Sequence, residues 1–322
     1  MPRRTPACLG LSLAVLLYGC QQVLPPATIA AATSTAFQQQ TSLPSPTETP
    51  IPAPIEVSPT SAPLTPSPTS TPTVTPLPAG LYLDPANWQA WPVIPIVPEF
   101  ARLIYERGLS LGNDPHAFSV FGDCQSEPKV FMGVYETDTA LVAALPRDLM
   151  ETVAWFNGSF NRKSSTVRGG TTTGAVLWPA WHRNRYNCTI YETPLQCELR
   201  THKPSFVILH VGTHYESRNE GYMRTILDQL IEAGVVPILA SKADNRESDE
   251  HVNAQYAQLA VEYSLPFWNF WAAVENLPNR GLYTRPDAAY QGDLYLTDEA
   301  AAIQRLTALQ MLDVVRRAVV GP

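Results

Sequence analysis

The sequence predicts a three-layer α/β/α domain built on a mainly parallel, five-stranded sheet, and two features of residues 110–318 predict it. Short apolar segments alternate five times with segments of helical periodicity, the order that produces parallel strands joined by crossover helices. Residues 205–212 also form a continuous apolar run, as expected for a strand buried on both faces. In such sheets, functional sites form at the carboxyl ends of the strands.

The elements of this domain follow from apolar spacing and from Pro and Gly positions. In chain order, the sequence predicts a helix at 99–107, a strand at 117–121, two helical pieces in 138–156 divided at Pro146, a short strand at 165–170, a strand at 205–212, a helix at 220–233 closed by Gly234, a strand at 235–240, a helix capped by Ser248 and ending near 263, a strand at 265–269 and a last helix at about 297–318.

The N-terminus has the composition of an export signal. Arg3 and Arg4 precede a short apolar stretch that ends at Gly19 and Cys20, so residues 1–20 are predicted to be a secretion signal, too short to cross a bilayer. The Leu-Tyr-Gly-Cys sequence at its end resembles a bacterial lipobox. This resemblance implies that Cys20 is lipidated and holds the exported chain to the outer face of a bacterial membrane. The alternative is a signal that is uncleaved or cleaved elsewhere.

Residues 21–80 are predicted to be a disordered stalk. They contain 14 of the 31 prolines and many Ser and Thr, and their only charged residues are Glu48 and Glu56. Such a composition favours extended, solvated chain and cannot build a core. At roughly 3.1 Å per residue, the stalk could reach on the order of 150 Å. The globular domain is therefore expected to occupy residues 81–322.

The charge of the chain limits its partners. The charges before residue 81 cancel, so the net charge of -7 belongs to the globular domain. An acidic domain argues against nucleic acid and bare anionic lipid as main partners and is compatible with polysaccharides and neutral esters. No set of Cys and His has zinc spacing, so no metal is assigned. No cofactor is expected either. The domain is expected to be monomeric.

The cysteines divide into groups with different expected fates. Cys8 leaves with the signal and Cys20 is the lipid site. Cys188 and Cys197 flank a short loop and are plausible disulfide partners in an oxidising compartment. Cys124 is left over. It follows an apolar strand and a Gly-Asp turn, which is how α/β enzymes lift a reactive atom above the edge of a sheet, although a small buried thiol is the alternative.

Polar residues and glycines cluster where the predicted strands end, and these are the candidate site residues. They are Asp123, Cys124, Gly170, Gly212, His214, Lys242, Asn245, Asp293 and Tyr295. Their order and spacing resemble the SGNH/GDSL hydrolase superfamily over almost all of residues 110–318. The resemblance implies a flavodoxin-like fold and an ester hydrolase, with a Gly-Asp-Ser nucleophile block, a glycine and an asparagine in the oxyanion hole, and a final Asp-x-x-His.

Matched residue by residue, the resemblance is partial. Asp123 and Cys124 match the first block with Cys in place of Ser, and Gly170, or alternatively Gly169, matches the second. In the third block, Gly212 and Thr213 are kept, but His214 stands at the position of Asn and Tyr215 at that of Asp. In the last block, Tyr295 stands at the position of His and Gly292 at that of Asp, with Asp293 displaced by one residue.

These substitutions favour thiol chemistry over hydroxyl chemistry. A thiol with a reference pKa of about 8.5 becomes a nucleophile beside an imidazolium, whereas a hydroxyl needs a base. We therefore expect a Cys124/His214 ion pair, with the amides of Gly170 and Cys124 binding the oxyanion and Asp293 orienting a base after a local shift. Lys242, Asp244 and Asn245 are expected to line the pocket, with a surface loop as the alternative. The implied substrate is a small-molecule or glycan ester. For His214, the alternative is a polar strand-end residue that is hydrogen-bonded to loop backbone. His210 lies inside an apolar strand and is expected to be a core histidine.

A second functional class remains open, a surface protein that keeps the fold and binds a ligand without catalysis. Tyr295 supports it, because a phenol is a poor base at neutral pH. The tryptophans Trp178, Trp181, Trp268 and Trp271 could stack on sugar rings, but their spacing fits core packing at least as well.

Overall fold

The structure, a computed structural model, describes residues 83–244, 249–284 and 294–321. The helices in these ranges are α1 (Phe100–Ser110), α2 (Val134–Thr137), α3 (Thr139–Ala143), α4 (Arg147–Trp155), α5 (Thr173–Val176), α6 (Pro194–His202), α7 (Glu220–Glu232), α8 (His251–Glu262), α9 (Phe270–Val274) and α10 (Asp298–Val320). The strands are β1 (Asp114–Gly122), β2 (Pro204–His210), β3 (Val236–Ala240), β4 (Phe267–Trp268), β5 (Leu282–Tyr283) and β6 (Tyr295–Leu296). The predicted signal, the lipid site Cys20 and the stalk lie outside the described residues.

The main sheet is parallel and contains four strands in the order β1-β2-β3-β4. This confirms the predicted α/β class and corrects the strand number, because the expected strand at 165–170 makes only a single bridge, between Gly122 and Val167. After that bridge the chain turns: the Thr171 amide donates to the Arg168 carbonyl at 3.0 Å, and Gly170 takes a positive φ of 80°. Gly169 and Gly170 therefore end the strand pairing and form a loop.

The core lies along the central strands, as the apolar run in β2 predicts. Every residue of β2 and of β3 is buried, which is the pattern of strands covered on both faces. Helix α1 packs on β2 and β3, α6 on β1, α7 and α8 on β3, and α10 on β4. This arrangement is consistent with a three-layer α/β/α sandwich.

Most predicted helices are confirmed with small shifts of their ends. Pro146 separates α3 from α4, Gly234 follows α7 with a φ of 69°, and the hydroxyl of Thr297 caps α10 by accepting from the Ala300 amide at 3.3 Å. The capping residue expected for α8, Ser248, lies outside the described residues. Helix α6 was not predicted, although Thr193 and Gln196 form a capping box at its start.

The segment before α1 belongs to the domain, since Trp88 and Trp91 are buried in its core. The amide side chain of Asn269, at the end of β4, donates to the carbonyls of Trp88 at 2.9 Å and Trp91 at 3.2 Å. These contacts tie the segment to the sheet edge. Within the described ranges, no helix combines the length and apolar character that crossing a membrane requires.

Candidate active site

The candidate nucleophile Cys124 lies in a short 3-10 turn directly after β1. Asp123 caps this turn, because its carboxylate accepts from the Gln125 amide at 3.0 Å. The thiol is half-buried, and its Sγ lies 4.0 Å from the carbonyl oxygen of Leu294, just before β6. The turn at the end of β1 thus presents the thiol at the carboxyl edge of the sheet, as the sequence predicts.

A glycine loop at residues 166–171 lies beside the thiol and is tied to two strand ends. The Gly122 amide donates to the Thr166 carbonyl, and the Gly212 amide donates to the Thr171 carbonyl, both at 3.0 Å. A methyl group on Gly169 would lie 3.8 Å from the Cβ of Cys124, whereas one on Gly170 would face Trp181. Of the two alternatives for the second block, Gly169 therefore borders the thiol and Gly170 lies further along the loop.

The imidazole of His214 and the carboxylate of Asp123 converge over Gly212, directly after β2. A side chain on Gly212 would place its Cβ 2.7 Å from Cδ2 of His214 and 3.1 Å from Oδ2 of Asp123. Only glycine leaves room for both groups here. The resemblance predicts Gly212 in the oxyanion block; the structure shows a steric role for it between these two side chains.

Lys242, directly after β3, forms a fully buried ion pair with Asp123. Its ammonium group donates to both carboxylate oxygens of Asp123 at 2.9 Å and lies 3.6 Å from Oδ1 of Asp244. The Asp244 carboxylate in turn accepts from Thr213 at 2.7 Å and from Gln125 at 3.1 Å. We expected Lys242 to line a pocket and bind substrate, but its burial directs it to the two carboxylates instead.

The protonation states in this cluster follow from competition between burial and charge. Burial alone would lower the pKa of Lys242, but Asp123 and Asp244 outweigh it and raise that pKa above its ordinary value. Burial would raise the pKa of Asp244, but Lys242 and the Thr213 hydrogen bond outweigh it and lower that pKa. Lys242 and Asp244 are therefore both charged at neutral pH.

The second histidine near the site, His210, is part of the core. It is fully buried in β2, its Nδ1 is hydrogen-bonded to the Ser126 hydroxyl at 2.8 Å, and its ring packs against Phe131 and Trp268. Burial, with a smaller contribution from Lys242, holds its pKa well below the ordinary value. His210 thus stays neutral, in agreement with the sequence expectation of a core histidine.

The last candidate block reaches the site from the other side. Strand β6, which contains Tyr295, pairs antiparallel with β5 and packs against the turn that holds Cys124. Gln125 links the two segments by donating to the Leu294 carbonyl at 3.2 Å. Asp293 and Asn245, the remaining candidates, lie outside the described residues, as does Gly292.

The disulfide expected from the cysteine count is present, since Cys188 and Cys197 are bonded to each other. The bond ties the loop after Trp181 to helix α6. In the part of the chain that is described, no group of three or more His, Cys, Asp or Glu side chains is arranged to hold a metal ion.

Gln125 and Asp244 contribute to the site beyond the residues singled out from sequence. Gln125 directly follows the thiol and bonds both Asp244 and the Leu294 carbonyl, so it joins the ends of β1, β3 and the segment before β6. Asp244 was considered only as a pocket-lining or surface-loop residue, yet it is buried. A carboxylate two residues after a lysine at the end of a buried strand is the signal that could have indicated an internal ion pair.

No protein-family model matches the sequence, and no curated protein matches it. Among solved structures, the chain is similar to a GDSL-like lipase from Bacteroides thetaiotaomicron, with 14% sequence identity over 66% of this chain and 97% of that chain and a TM-score of 0.38. A likeness at this level does not identify a reaction, so the activity has to be argued from the residues at the strand ends.

Replacing Lys242 by methionine should destabilise the protein by about 3–5 kcal/mol, because it leaves Asp123 and Asp244 buried without their cation. Denaturant unfolding measures this. Lys163→Met, at an exposed position, is the control and should change stability by less than about 0.5 kcal/mol. Adding Asp123→Asn and Asp244→Asn to Lys242→Met should restore most of the loss; a triple variant as unstable as the single one contradicts this account.

The pKa shifts of Lys242 and Asp244 predict the pH range in which their interaction stabilises the folded protein. The pKa of Asp244 is lower in the folded state, so its contribution is complete above about pH 3.9 and is lost as the pH falls through the folded value. The pKa of Lys242 is higher in the folded state, so its contribution is complete below about pH 10.4 and is lost as the pH rises through the folded value. The stability of the wild type relative to that of the triple variant should therefore be greatest between these two pH values and should decrease on either side of them.

Proposed function

We propose that the protein is a hydrolase of ester bonds, acting on acyl groups of surface glycans, with Cys124 as nucleophile and His214 as its base. The observation that carries this proposal is the meeting of a thiol, a glycine loop and an imidazole at one edge of a parallel sheet. Gly169 borders Cys124, and His214 faces the carboxylate of Asp123, the residue directly before the thiol. A nucleophile, backbone amides and a base are the groups that nucleophilic acyl transfer requires.

The reaction needs no group beyond these residues and water. In the proposed resting state the thiolate of Cys124 faces the imidazolium of His214. The sulfur bonds to the carbonyl carbon, and the resulting oxyanion accepts from backbone amides of Cys124 and the glycine loop. Collapse expels the alkoxide, which takes the proton of His214, and a thioester remains. Water then attacks as His214 takes its proton, the acid leaves, and the thiolate is regenerated.

The buried ion pair supports this chemistry by position. Because Lys242 holds both oxygens of Asp123, the backbone on which Cys124 sits cannot rotate without breaking a desolvated pair. The ammonium is also close enough to the thiol that a charged Cys124 contributes to raising the pKa of Lys242.

Hydrolysis of p-nitrophenyl acetate tests the enzymatic proposal. The wild-type chain should release p-nitrophenolate, and Cys124→Ala should lower the rate at least about 100-fold, because the nucleophile is removed. Cys124→Ser, which keeps the shape but loses the acidic thiol, should also be strongly impaired. Equal rates in wild type and Cys124→Ala would exclude Cys124 as nucleophile.

Alkylation by iodoacetamide tests the pairing with His214. In the wild type, labelling of Cys124 should be half-maximal at a pH below about 8.5, the reference value of a thiol, because the imidazolium favours the thiolate. His214→Ala should move the midpoint upward, whereas His251→Ala, at an exposed position on α8, should leave it in place. A midpoint near 8.5 or above that His214→Ala does not change would refute the ion pair.

The alternative is a surface protein that binds a ligand with this fold and does not catalyse. The observation that favours it is Tyr295, which lies in β6 beside the Cys124 turn at the position where the resembling family has its histidine. If neither wild type nor Cys124→Ala hydrolyses esters, this alternative is the one supported.

We further propose that Cys20 anchors the chain to the outer face of a bacterial membrane and that residues 21–80 hold the domain away from it. The support is the lipobox-like end of the apolar stretch and the proline-rich composition after it. In a bacterial host supplied with radioactive palmitate, the wild type and Cys124→Ser should both incorporate label, and Cys20→Ser should not. Equal labelling of Cys20→Ser would overturn the anchor.

A further inference from the structure

We propose that an open groove next to the candidate active site binds an uncharged sugar ring of the substrate, so that the alcohol side of the ester is a glycan. The groove has a volume of about 470 Å³ and is lined by Trp178, Trp181, Tyr222, Glu216, Thr172 and Gly170. It begins at Gly170, in the same glycine loop that borders Cys124. That the bound sugar belongs to an ester cleaved at Cys124 rests on the proposed function. That the groove binds a sugar does not.

One wall of the groove is a tryptophan that the fold holds rigidly. The guanidinium of Arg168 lies 4.0 Å from the ring centre of Trp181, and its Nη1 donates to the Trp181 carbonyl at 3.2 Å. The indole nitrogen of Trp181 donates to the Thr171 hydroxyl at 3.2 Å. The wall is therefore in place before any ligand arrives, which lowers the entropy cost of binding.

Beside this wall, Trp178 exposes 59% of its surface, in contrast to Trp268, which is fully buried in the core. What distinguishes this indole from other exposed rings is that it lines the groove, where a ligand would cover it and gain the free energy of its burial. The apolar C–H face of a sugar ring is flat enough to pack against an indole. The sequence alone could not tell which of these two tryptophans is available to a ligand and which packs in the core, whereas the structure does.

A carboxylate, that of Glu216, also lines the groove. A methyl group on Gly174 would collide with the carboxylate of Glu216 and would lie 3.2 Å from the ring of Tyr222, so the glycine makes the space that these side chains occupy. A carboxylate accepts hydrogen bonds from hydroxyl groups but repels anions, and covering it with an alkyl chain is costly. Glu216 therefore favours a neutral, hydroxyl-rich ligand over an anion or a long acyl chain.

An aromatic groove with a carboxylate could also hold an organic cation, but two features oppose this. A quaternary ammonium needs a close cage of aromatic faces, and this groove is open and large. In addition, one face of Trp181 already carries the guanidinium of Arg168, which would repel a second cation. The geometry thus favours a sugar.

Calorimetric titration of the full-length chain tests this binding, in a Cys124→Ala background so that no turnover is needed. The ligands are cellohexaose, xylohexaose and chitohexaose as neutral glycans, with phosphocholine and decanoate as the competing classes. At least one glycan should bind with a Kd of about 1 mM or tighter. Trp178→Ala should weaken it at least about tenfold, and Trp178→Phe, which keeps a flat ring, should retain most of the affinity.

Glu216→Gln and Tyr191→Ala complete the design. The first should weaken glycan binding because the amide accepts fewer hydrogen bonds. The second removes an aromatic ring that is 84% exposed but does not line the groove, and it should change nothing. Circular dichroism verifies that each variant is folded.

The proposal is overturned if no glycan binds, if Trp178→Ala binds as well as its parent, or if phosphocholine or decanoate binds in place of the glycans. Because binding is measured without the thiol, glycan binding without esterase activity would refute the hydrolase and keep the groove. Esterase activity without glycan binding would refute the sugar-binding groove and keep the hydrolase.

Discussion

The ion pair between Lys242 and Asp123 is the interaction on which the candidate site depends. It joins the end of β3 to the end of β1 across the central strand β2, and it lies out of contact with water. A charge buried in this way is tolerated only when it is paired and hydrogen-bonded, so neither strand end can move without exposing an uncompensated ion. Cys124 follows Asp123 directly and shares this restraint.

The charges around Lys242 also explain why an imidazole matters here. One ammonium faces two carboxylates, those of Asp123 and Asp244, so its positive charge is already more than balanced before the thiol ionises. A thiolate at Cys124 would add a further negative charge to the same desolvated region. His214 lies on the loop after β2, and its protonation would offset that charge. This is its function in the proposed ion pair with Cys124.

The strands and helices could be predicted from sequence because apolar period, proline and glycine act locally, as at Pro146 and Gly234. The predicted strand at 165–170 was wrong because contacts with distant parts of the chain determine the conformation of this segment. The segment makes one bridge with Gly122, and then its hydrogen bonds go to Gly212 and into its own turn. The positions of Cys124 and Gly212 followed from strand ends, but the burial of Lys242 did not. It depends on two carboxylates from different strand ends: Asp244 is close to Lys242 in sequence, but no local pattern encodes the contact with Asp123.

The direction from which the base reaches the nucleophile connects the two proposals. In the resembling family the histidine comes from the segment before the last helix, where this chain has Tyr295. In the proposed reaction the proton donor is His214, which follows β2. The leaving alcohol has to lie on the side of its proton donor. His214 is two residues from Glu216, which lines the aromatic groove. In the proposed reaction, the alcohol side of the ester would therefore lie beside the loop after β2, which also contributes Glu216 to the groove.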